Sequence, residues 1–287
     1  MGDTMRMLFL GFGYVANATA RRLAATARMT ATTRDGGKAE GLRAQGITPL
    51  LTGTGPGVIE EAVREASHVL VSAPPGEAGD PFLPLLDARM LKSRWVGYLS
   101  TTGVYGDRRG GWAFEWDRLD PVEPRSVWRA EAEAGWQAAG ARIFRLAGIY
   151  GPGYSTFDKL REGRARRIIK PGQVFSRIHV DDIVEALLLA MARPEADGVF
   201  NLADDCPCPQ PTVVEEAARL LGVEPPMEEA FDKGAMSPMQ ASFYSANRRV
   251  SNARAKQVLG WRPAFPSYRE GLAAIYAAEK ASTAPAP

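Results

Sequence analysis

The chain has 287 residues, of which 45% are hydrophobic, and this predicts one large α/β domain or one domain with a smaller appendage. Its formal net charge of +2 gives no electrostatic argument for binding nucleic acid. The two cysteines, Cys206 and Cys208, suit a reducing cytoplasm and lack the further ligands that a metal site needs. No stretch has the apolar length of a membrane span and no signal peptide is recognisable, so a cytoplasmic protein without membrane partners is expected.

The first predicted strand, residues 6–10, runs into a glycine turn that opens a helix. The turn reads Gly11-Phe12-Gly13-Tyr14-Val15-Ala16. In a dinucleotide-binding turn the first glycine permits a tight bend, and the second lets the backbone approach a pyrophosphate. The helix N-terminus then offers N–H groups and partial positive charge to the phosphates. We therefore predict that the cofactor contacts Gly11, Gly13, Tyr14 and Val15, the alternative being a plain glycine turn of an α/β protein.

The second predicted strand, residues 29–33, ends at Arg34 and Asp35, about twenty residues beyond the glycines, where such folds bind the adenosine ribose. An acidic residue there would bind the ribose 2′-hydroxyl of NAD. An arginine would instead pair with the 2′-phosphate of NADP. Because Arg34 comes first, we predict NADP(H) as the cofactor. NAD bound through Asp35 is the alternative.

Short strands and helices continue to alternate as far as residue 100, which predicts a doubly wound parallel sheet of Rossmann type. Helices are predicted at 38–45, 56–65 and 82–92, and strands at 47–51, 69–72 and 95–100. The fourth strand ends in Ser72, Ala73 and Pro74. A turn of small residues at the carboxyl end of a strand would line the cofactor, unless it is a plain loop.

Hydroxyl side chains follow the fifth strand at Ser100, Thr101 and Thr102, with Tyr105 close behind. The carboxyl end of a central strand opens into the ligand crevice of an α/β sheet. We therefore predict that Thr101, Thr102 and Tyr105 face the reacting atoms and hydrogen-bond a substrate oxygen. The alternative is that the Ser and Thr side chains close a turn.

An irregular stretch, residues 108–123, carries the aromatic residues Trp112, Phe114 and Trp116. They would form a lid or wall of the substrate pocket, or a satellite core under the loop. A helix over 124–139 follows.

Four motifs in order resemble the extended short-chain dehydrogenase/reductase superfamily, in its NAD-dependent epimerase/dehydratase group. They lie at residues 11–16, 100–106, 145–153 and 177–183. The resemblance extends to about residue 271 and implies a Rossmann domain that binds NAD(P), with a smaller C-terminal substrate-binding part. The predicted division is 1–170 for mainly the NAD(P)-binding domain, 171–280 for a mixed part that completes the sheet and binds substrate, and 281–287 for a disordered tail.

The predicted active site departs from this family on the helix over 124–139. The family's catalytic Tyr-x-x-x-Lys pair should lie there, with a proline four residues before the tyrosine. Pro124 places the pair at Trp128 and Ala132, and residues 124–133 contain neither tyrosine nor lysine. The tyrosine normally exchanges the proton as hydride moves, and the lysine lowers its pKa. The resemblance thus implies an atypical member, in which Thr101, Thr102 or Tyr105 would relay the proton.

Later segments suggest substrate-side features. A basic run at residues 159–170 corresponds to a region that faces the nucleotide diphosphate in nucleotide-sugar epimerases, so its arginines would bind phosphate, unless the run is simply solvated. Residues 223–244, rich in Pro, Met and acidic side chains, are predicted to form a flexible arm over the pocket. The resemblance also implies a homodimer, formed by the helices at 82–92 and 124–139.

Two hypotheses for function follow. The first is an NAD(P)-dependent oxidoreductase or epimerase/dehydratase-like enzyme that acts on a small polar carbonyl or alcohol, or on a nucleotide sugar. The second is a non-catalytic NAD(P)-binding redox sensor or regulator, which the missing tyrosine and lysine favour. The chain has only two histidines, His68 and His179, and no Gly-x-Ser-x-Gly elbow, so a Ser-His-Asp hydrolase is not indicated.

Overall fold

The computed structural model describes residues 4–283, which divide into two compact units. The first contains the described residues up to Val104, with Pro121–Arg145 and Val184–Phe200. The second contains Tyr105–Asp120, Leu146–Ile183 and the described residues from Asn201 onward. Each unit is therefore assembled from three separate pieces of the chain, whereas the sequence predicted a boundary near residue 170.

The described residues form strands, α-helices and short 3-10 turns. The strands are β1 (Met5–Leu10), β2 (Ala27–Thr33), β3 (Thr48–Leu51), β4 (His68–Val71), β5 (Trp95–Thr101), β6 (Trp112–Ala113), β7 (Arg142–Leu146), β8 (Gly148–Tyr150), β9 (Arg167–Ile169), β10 (Arg177–His179), β11 (Val199–Leu202), β12 (Glu228–Ala230) and β13 (Arg249–Val250). The α-helices are α1 (Tyr14–Leu23), α2 (Gly36–Ala44), α3 (Pro56–Glu65), α4 (Ala88–Leu91), α5 (Pro124–Ala138), α6 (Thr156–Arg161), α7 (Val180–Met191), α8 (Gln210–Leu221), α9 (Pro238–Phe243), α10 (Ala253–Val258) and α11 (Tyr268–Thr283).

The first unit is built on a seven-stranded sheet with the order β11-β7-β5-β4-β1-β2-β3. The pairs β3–β2, β2–β1, β1–β4 and β4–β5 are parallel. From β1 the chain winds outward to β3, then returns to β4 and winds toward the other edge. The predicted doubly wound sheet is confirmed, and its direction reverses between β1 and β4, where such sheets bind their ligands.

Strand β1 lies in the middle of the sheet and reads as an apolar run rather than an alternating pattern. Its residues Met7, Leu8, Phe9 and Leu10 are at most 1% exposed. A parallel strand covered by helices on both faces is expected to have this composition. On one face the core combines strand side chains with those of α3 and α5, among them Ile59 and Trp136.

The helix predicted over 82–92 does not form as a single helix. Residues Leu83–Leu85 make a 3-10 turn, and only the four residues of α4 are α-helical. Pro84 explains the difference, because proline lacks the N–H of a helix interior and its ring clashes with the preceding turn. The segment is fastened to α5 instead, since Asp80 Oδ2 accepts the indole N–H of Trp136 at 2.9 Å. One of the two helices expected to pair in a homodimer is therefore shorter than predicted, and the homodimer stays a prediction.

The second unit contains three parallel strand pairs, β8–β10, β9–β12 and β6–β13. Phe157, Ala217 and Leu272 are in its apolar core. The segment predicted as a flexible arm, 223–244, contains β12, a 3-10 turn and α9. Helix α11 extends through residue 283, so 281–283 are helical rather than a disordered tail, while 284–287 lie outside the described residues. Within 4–283, no helix has the length and apolar character needed to cross a membrane.

Candidate active site

Side chains from both neighbouring strands hold the turn between β1 and α1 at Gly11. Thr32 Oγ1, on β2, accepts the Gly11 N–H at 2.6 Å, and Ser72, directly after β4, donates its hydroxyl to the Gly11 carbonyl at 2.9 Å. Gly11 has a φ of +88°, and a Cβ on it would lie 2.6 Å from the backbone nitrogen of Ala73. Conformation and packing therefore both require glycine at this position. The sequence predicted a role for Ser72 but missed Thr32, a buried hydroxyl near the end of its strand.

At position 13, neither the backbone conformation nor the packing requires a glycine. Gly13 is the N-cap of α1 with an ordinary φ of −97°, and a Cβ on it would meet no atom within 4 Å. No side chain caps this helix through a hydrogen bond. The glycine thus leaves open space before a helix N-terminus, where backbone N–H groups can hold phosphate oxygens. This cradle fits the pyrophosphate of a dinucleotide.

The other predicted cofactor residues surround the same turn. Tyr14 and Ala73 are half-buried, and Pro74 is exposed. Val15 is buried, so its side chain packs α1 and any contact with a cofactor would come from its backbone.

The end of β2 gives Arg34 and Asp35 different tasks. Asp35 Oδ1 accepts the Gly37 N–H at 2.8 Å and so caps α2. Arg34 is exposed, and its guanidinium has no hydrogen-bond or ion-pair partner among residues 4–283. One oxygen of the Asp35 carboxylate is thus used in the fold, whereas the whole Arg34 guanidinium is available to a ligand.

Ser100, the first hydroxyl at the end of β5, is part of a buried polar network. Ser100 Oγ donates to Glu133 Oε2 at 2.7 Å. Glu133 also accepts from Arg145 Nε at 3.0 Å, and the side chains of this ion pair are 2% and 5% exposed. Ser100 thus helps to fasten β5 to α5.

Thr101 is better placed to meet a ligand. It is half-buried, and its Oγ1 accepts the Gly103 N–H at 3.1 Å, which leaves its own proton for donation to another group. Ser126 of α5 borders the same space, since a Cβ on Gly103 would lie 2.7 Å from its Oγ. Ser126 was not among the predicted site residues. Thr102 is buried, with 7% of its surface exposed.

Tyr105 belongs to the second unit and has a structural contact there. It is 0% exposed, and its hydroxyl donates to Asn201 Oδ1 at 2.7 Å. The Asn201 N–H in turn binds Glu115 Oε1 at 3.0 Å. A fully buried phenol that binds an amide cannot serve as the predicted proton relay in this conformation.

Helix α5 carries no side chain that can exchange a proton near neutral pH at residues 128 and 132, the two positions where the resemblance predicts a tyrosine and a lysine. Trp128 is half-buried and Ala132 is buried. The neighbouring Arg129 donates to the Leu99 carbonyl at 2.9 Å and to the Tyr98 hydroxyl at 3.3 Å. Burial raises the pKa of Tyr98 to about 12. An indole, a methyl group and a guanidinium all fail as general acids here.

The arginines of the basic run at 159–170 already have acidic partners. Its four arginines form ion pairs, which are Arg161–Glu279, Arg164–Glu162, Arg166–Glu229 and Arg167–Glu228. Because each guanidinium already binds a carboxylate, the run does not support the predicted diphosphate contact.

A functionally unknown protein from Silicibacter pomeroyi DSS has a closely similar structure. The TM-score is 0.89, and the sequences are 46% identical over 96% of this chain and 99% of that one. This chain belongs to the same family as that protein. Because the function of that protein is unknown, membership of this family does not indicate an activity. No model of a protein family matches the chain.

Two further proteins are more distantly similar to this chain. The dTDP-glucose 4,6-dehydratase from Bacillus anthracis str. Ames, in complex with NAD, has a TM-score of 0.74 and 16% identity over 97% of both chains. At this identity the likeness shows the fold alone, and it agrees with the predicted doubly wound sheet of Rossmann type. The 3-diazoavenalumate denitrifying reductase of a Streptomyces species is 31% identical over 144 residues. That match spans 45% of this chain and 45% of the reductase, less than half of either protein.

Proposed function

We propose that this protein is an NADP(H)-dependent reductase of atypical short-chain type, acting on a small polar carbonyl compound. The observation that carries the proposal is the contrast between the two glycines. The positive φ of Gly11 and its close approach to Ala73 require glycine at position 11. Glycine at position 13 has no such requirement and leaves open space in front of the N-terminus of α1. A bound dinucleotide accounts for both. The partial match to a reductase and the NAD-bound structural neighbour support the same class.

The bound cofactor would supply hydride, and the other tasks fall to residues of the first unit. Gly13 and the backbone of α1 would hold the pyrophosphate. Arg34 would pair with the 2′-phosphate, because its guanidinium has no partner among residues 4–283, whereas one oxygen of Asp35 caps α2. Thr101 would donate a hydrogen bond to the substrate oxygen, since its own oxygen already accepts from Gly103.

The replacement of the catalytic tyrosine favours reduction over epimerisation. Epimerases of this fold move a proton through the tyrosine, and neither Trp128 nor Ala132 can do so. A reductase needs a hydrogen bond to the oxygen on which negative charge develops, and water can supply the proton. Thr101 satisfies the first need. The ion-paired basic run likewise favours a small carbonyl compound over a nucleotide sugar.

The second candidate is a non-catalytic NADP(H)-binding sensor. The same absence of a general acid on α5 favours it, and the cradle at Gly13 is equally expected. Turnover distinguishes the two, because a sensor binds NADPH without oxidising it.

The first experiment measures thermal unfolding with NADPH, with NADH and without ligand. A ligand at a hundred times its dissociation constant adds about 2.7 kcal/mol of stability. We expect NADPH to stabilise the protein more than NADH. Arg34→Ala should abolish this preference, whereas Arg28→Ala, an exposed arginine at the opposite end of β2, should retain it. If no dinucleotide stabilises the protein at millimolar concentration, both candidate functions are wrong.

The second experiment follows NADPH oxidation with 4-nitrobenzaldehyde and 9,10-phenanthrenequinone as general carbonyl probes. Turnover that falls in Thr101→Val while NADPH binding persists supports the reductase. NADPH binding without oxidation by either probe supports the sensor.

A further inference from the structure

The second unit contains a group of arginines that the proposed reductase function does not use. Four arginines lie in two short segments, residues 106–110 and 247–249, and we call them the arginine cluster: Arg108, Arg109, Arg248 and Arg249. The same two segments contain one acidic residue, Asp107. In the part of the chain that the structure describes, none of the four forms a salt bridge within 4 Å. The cluster is therefore the opposite of the basic run at 159–170, whose arginines all have acidic partners.

Backbone carbonyls hold three of the four guanidinium groups. Arg248 Nη1 donates to the carbonyl of Gly106 at 2.7 Å. Arg249 donates to the carbonyl of Gly110, and Arg108 to that of Arg118. A carbonyl is a dipole, so it positions a guanidinium without cancelling its charge. Because a guanidinium has five N–H donors in a fixed fork, each arginine keeps donors for a ligand.

The backbone beneath the cluster is tied together rather than left as a solvated loop. The N–H groups of Arg108 and Gly110 both donate to the Asn247 carbonyl, at 3.0 and 2.9 Å. The Asn247 N–H donates to Asp107 Oδ1 at 2.8 Å. Arg109 has a φ of +50°, a left-handed conformation that residues other than glycine rarely adopt. The two segments thus form one fixed platform for the four side chains.

The charge of this platform is not balanced from within. Arg108, Arg248 and Arg249 are half-buried, and Arg109 is exposed. Burial lowers the pKa of Arg248. The charge of Asp107 raises this pKa, and the charge of Arg108 lowers it further. Arg248 is thus partly buried close to another arginine and to one carboxylate, which is unfavourable unless an anion completes the site.

We propose that the arginine cluster is an oxyanion-binding site, whose ligand is an organic molecule that carries a carboxylate or a phosphate group. The site lies entirely within the second unit. The proposal therefore does not depend on whether the protein reduces a carbonyl compound.

The test uses the full chain and four probes, which are benzoate, phenyl phosphate, inorganic phosphate and the neutral benzamide. Calorimetric titration should show binding of at least one anion and none of benzamide, with affinity that falls as NaCl is added. Arg248→Gln and Arg249→Gln should each weaken anion binding by about ten-fold or more. Arg166→Gln is the matched control, because its guanidinium is ion-paired with Glu229, and it should bind as wild type does.

A second variant covers the risk that Arg248→Gln or Arg249→Gln disturbs the fold. Arg109→Asn removes an exposed charge and keeps a residue that tolerates a left-handed backbone, so it should weaken anion binding without changing the unfolding temperature. Tighter binding of benzoate would identify a carboxylate ligand, and tighter binding of phenyl phosphate a phosphate ligand. The proposal is overturned if no anion binds at millimolar concentration, or if all three variants bind as wild type does.

Binding of NADPH is measured separately from binding of the anion probes, because the phosphates of NADPH could also bind at the arginine cluster. Gly13→Ala should lose NADPH binding and keep anion binding, whereas Arg248→Gln should show the reverse. Failure of one site is thereby distinguished from failure of the other.

Discussion

Replacing Gly13 by alanine should remove dinucleotide binding and leave the protein folded. A Cβ there meets no atom within 4 Å, and the φ of −97° is open to any residue. The cost without ligand is that of exchanging one N-cap residue for a poorer one, at most about 1 kcal/mol. The added methyl group would stand where the backbone must approach a pyrophosphate.

Gly11→Ala is the contrasting variant. Its φ of +88° costs an L-residue about 1–2 kcal/mol, and the 2.6 Å approach to the Ala73 nitrogen adds about 1–3 kcal/mol of overpacking. The sum, about 2–5 kcal/mol, corresponds to a decrease in unfolding temperature of roughly 4–20 °C for a protein of this size. This variant should lose both stability and NADPH binding.

Thermal unfolding with and without NADPH measures both effects. At a hundred times its dissociation constant, NADPH should raise the unfolding temperature of the wild type by about 5–11 °C. Without ligand, Gly13→Ala should unfold within about 4 °C of the wild type, and it should show no shift with NADPH. A full NADPH shift in Gly13→Ala, or wild-type stability in Gly11→Ala, would refute the reasoning.

Two further predictions concern buried charge. Glu133→Ala should lower the free energy of unfolding by about 3–5 kcal/mol, because Arg145 loses its buried carboxylate partner, while the exposed Glu131→Ala should change it by less than about 0.5 kcal/mol. Equal midpoints in urea would contradict this. Burial raises the pKa of Asp204 from 3.8 to about 7. The folded protein therefore binds this proton more tightly than the unfolded chain does, which stabilises the fold fully below about pH 4, and this contribution is lost as the pH rises through 7. Asp204→Asn should flatten that decline, and an unchanged decline would show that other groups cause it.

The sequence was a good guide wherever the signal lies within a few residues. The apolar run of β1, the glycine turn and the start of α1 are local features, and α3 lies where it was predicted. The helix predicted over 82–92 was wrong although the evidence against it, Pro84, was visible in the sequence. Proline lacks the N–H that a helix interior needs, so one helix over the whole segment is unfavourable.

Contacts between distant residues could not be predicted in this way. Tyr105 looked available in the sequence, and only the fold brings Asn201 to its hydroxyl. The basic run looked like a phosphate site, but the partner of Arg166 is 63 residues away in the chain. The arginine cluster likewise combines two segments about 140 residues apart.

The last piece of the first unit, Val184–Phe200, has a practical consequence for experiments on fragments. It supplies most of α7 and the start of β11, and β11 lies next to β7 in the sheet. Its residue Ala190 also accepts a hydrogen bond, through its carbonyl, from the Trp95 indole at 3.1 Å. A fragment truncated at residue 170 would expose the backbone edge of β7 and leave this indole without its acceptor. Unprotected strand edges recruit other chains, so such a fragment would aggregate instead of reporting cofactor affinity.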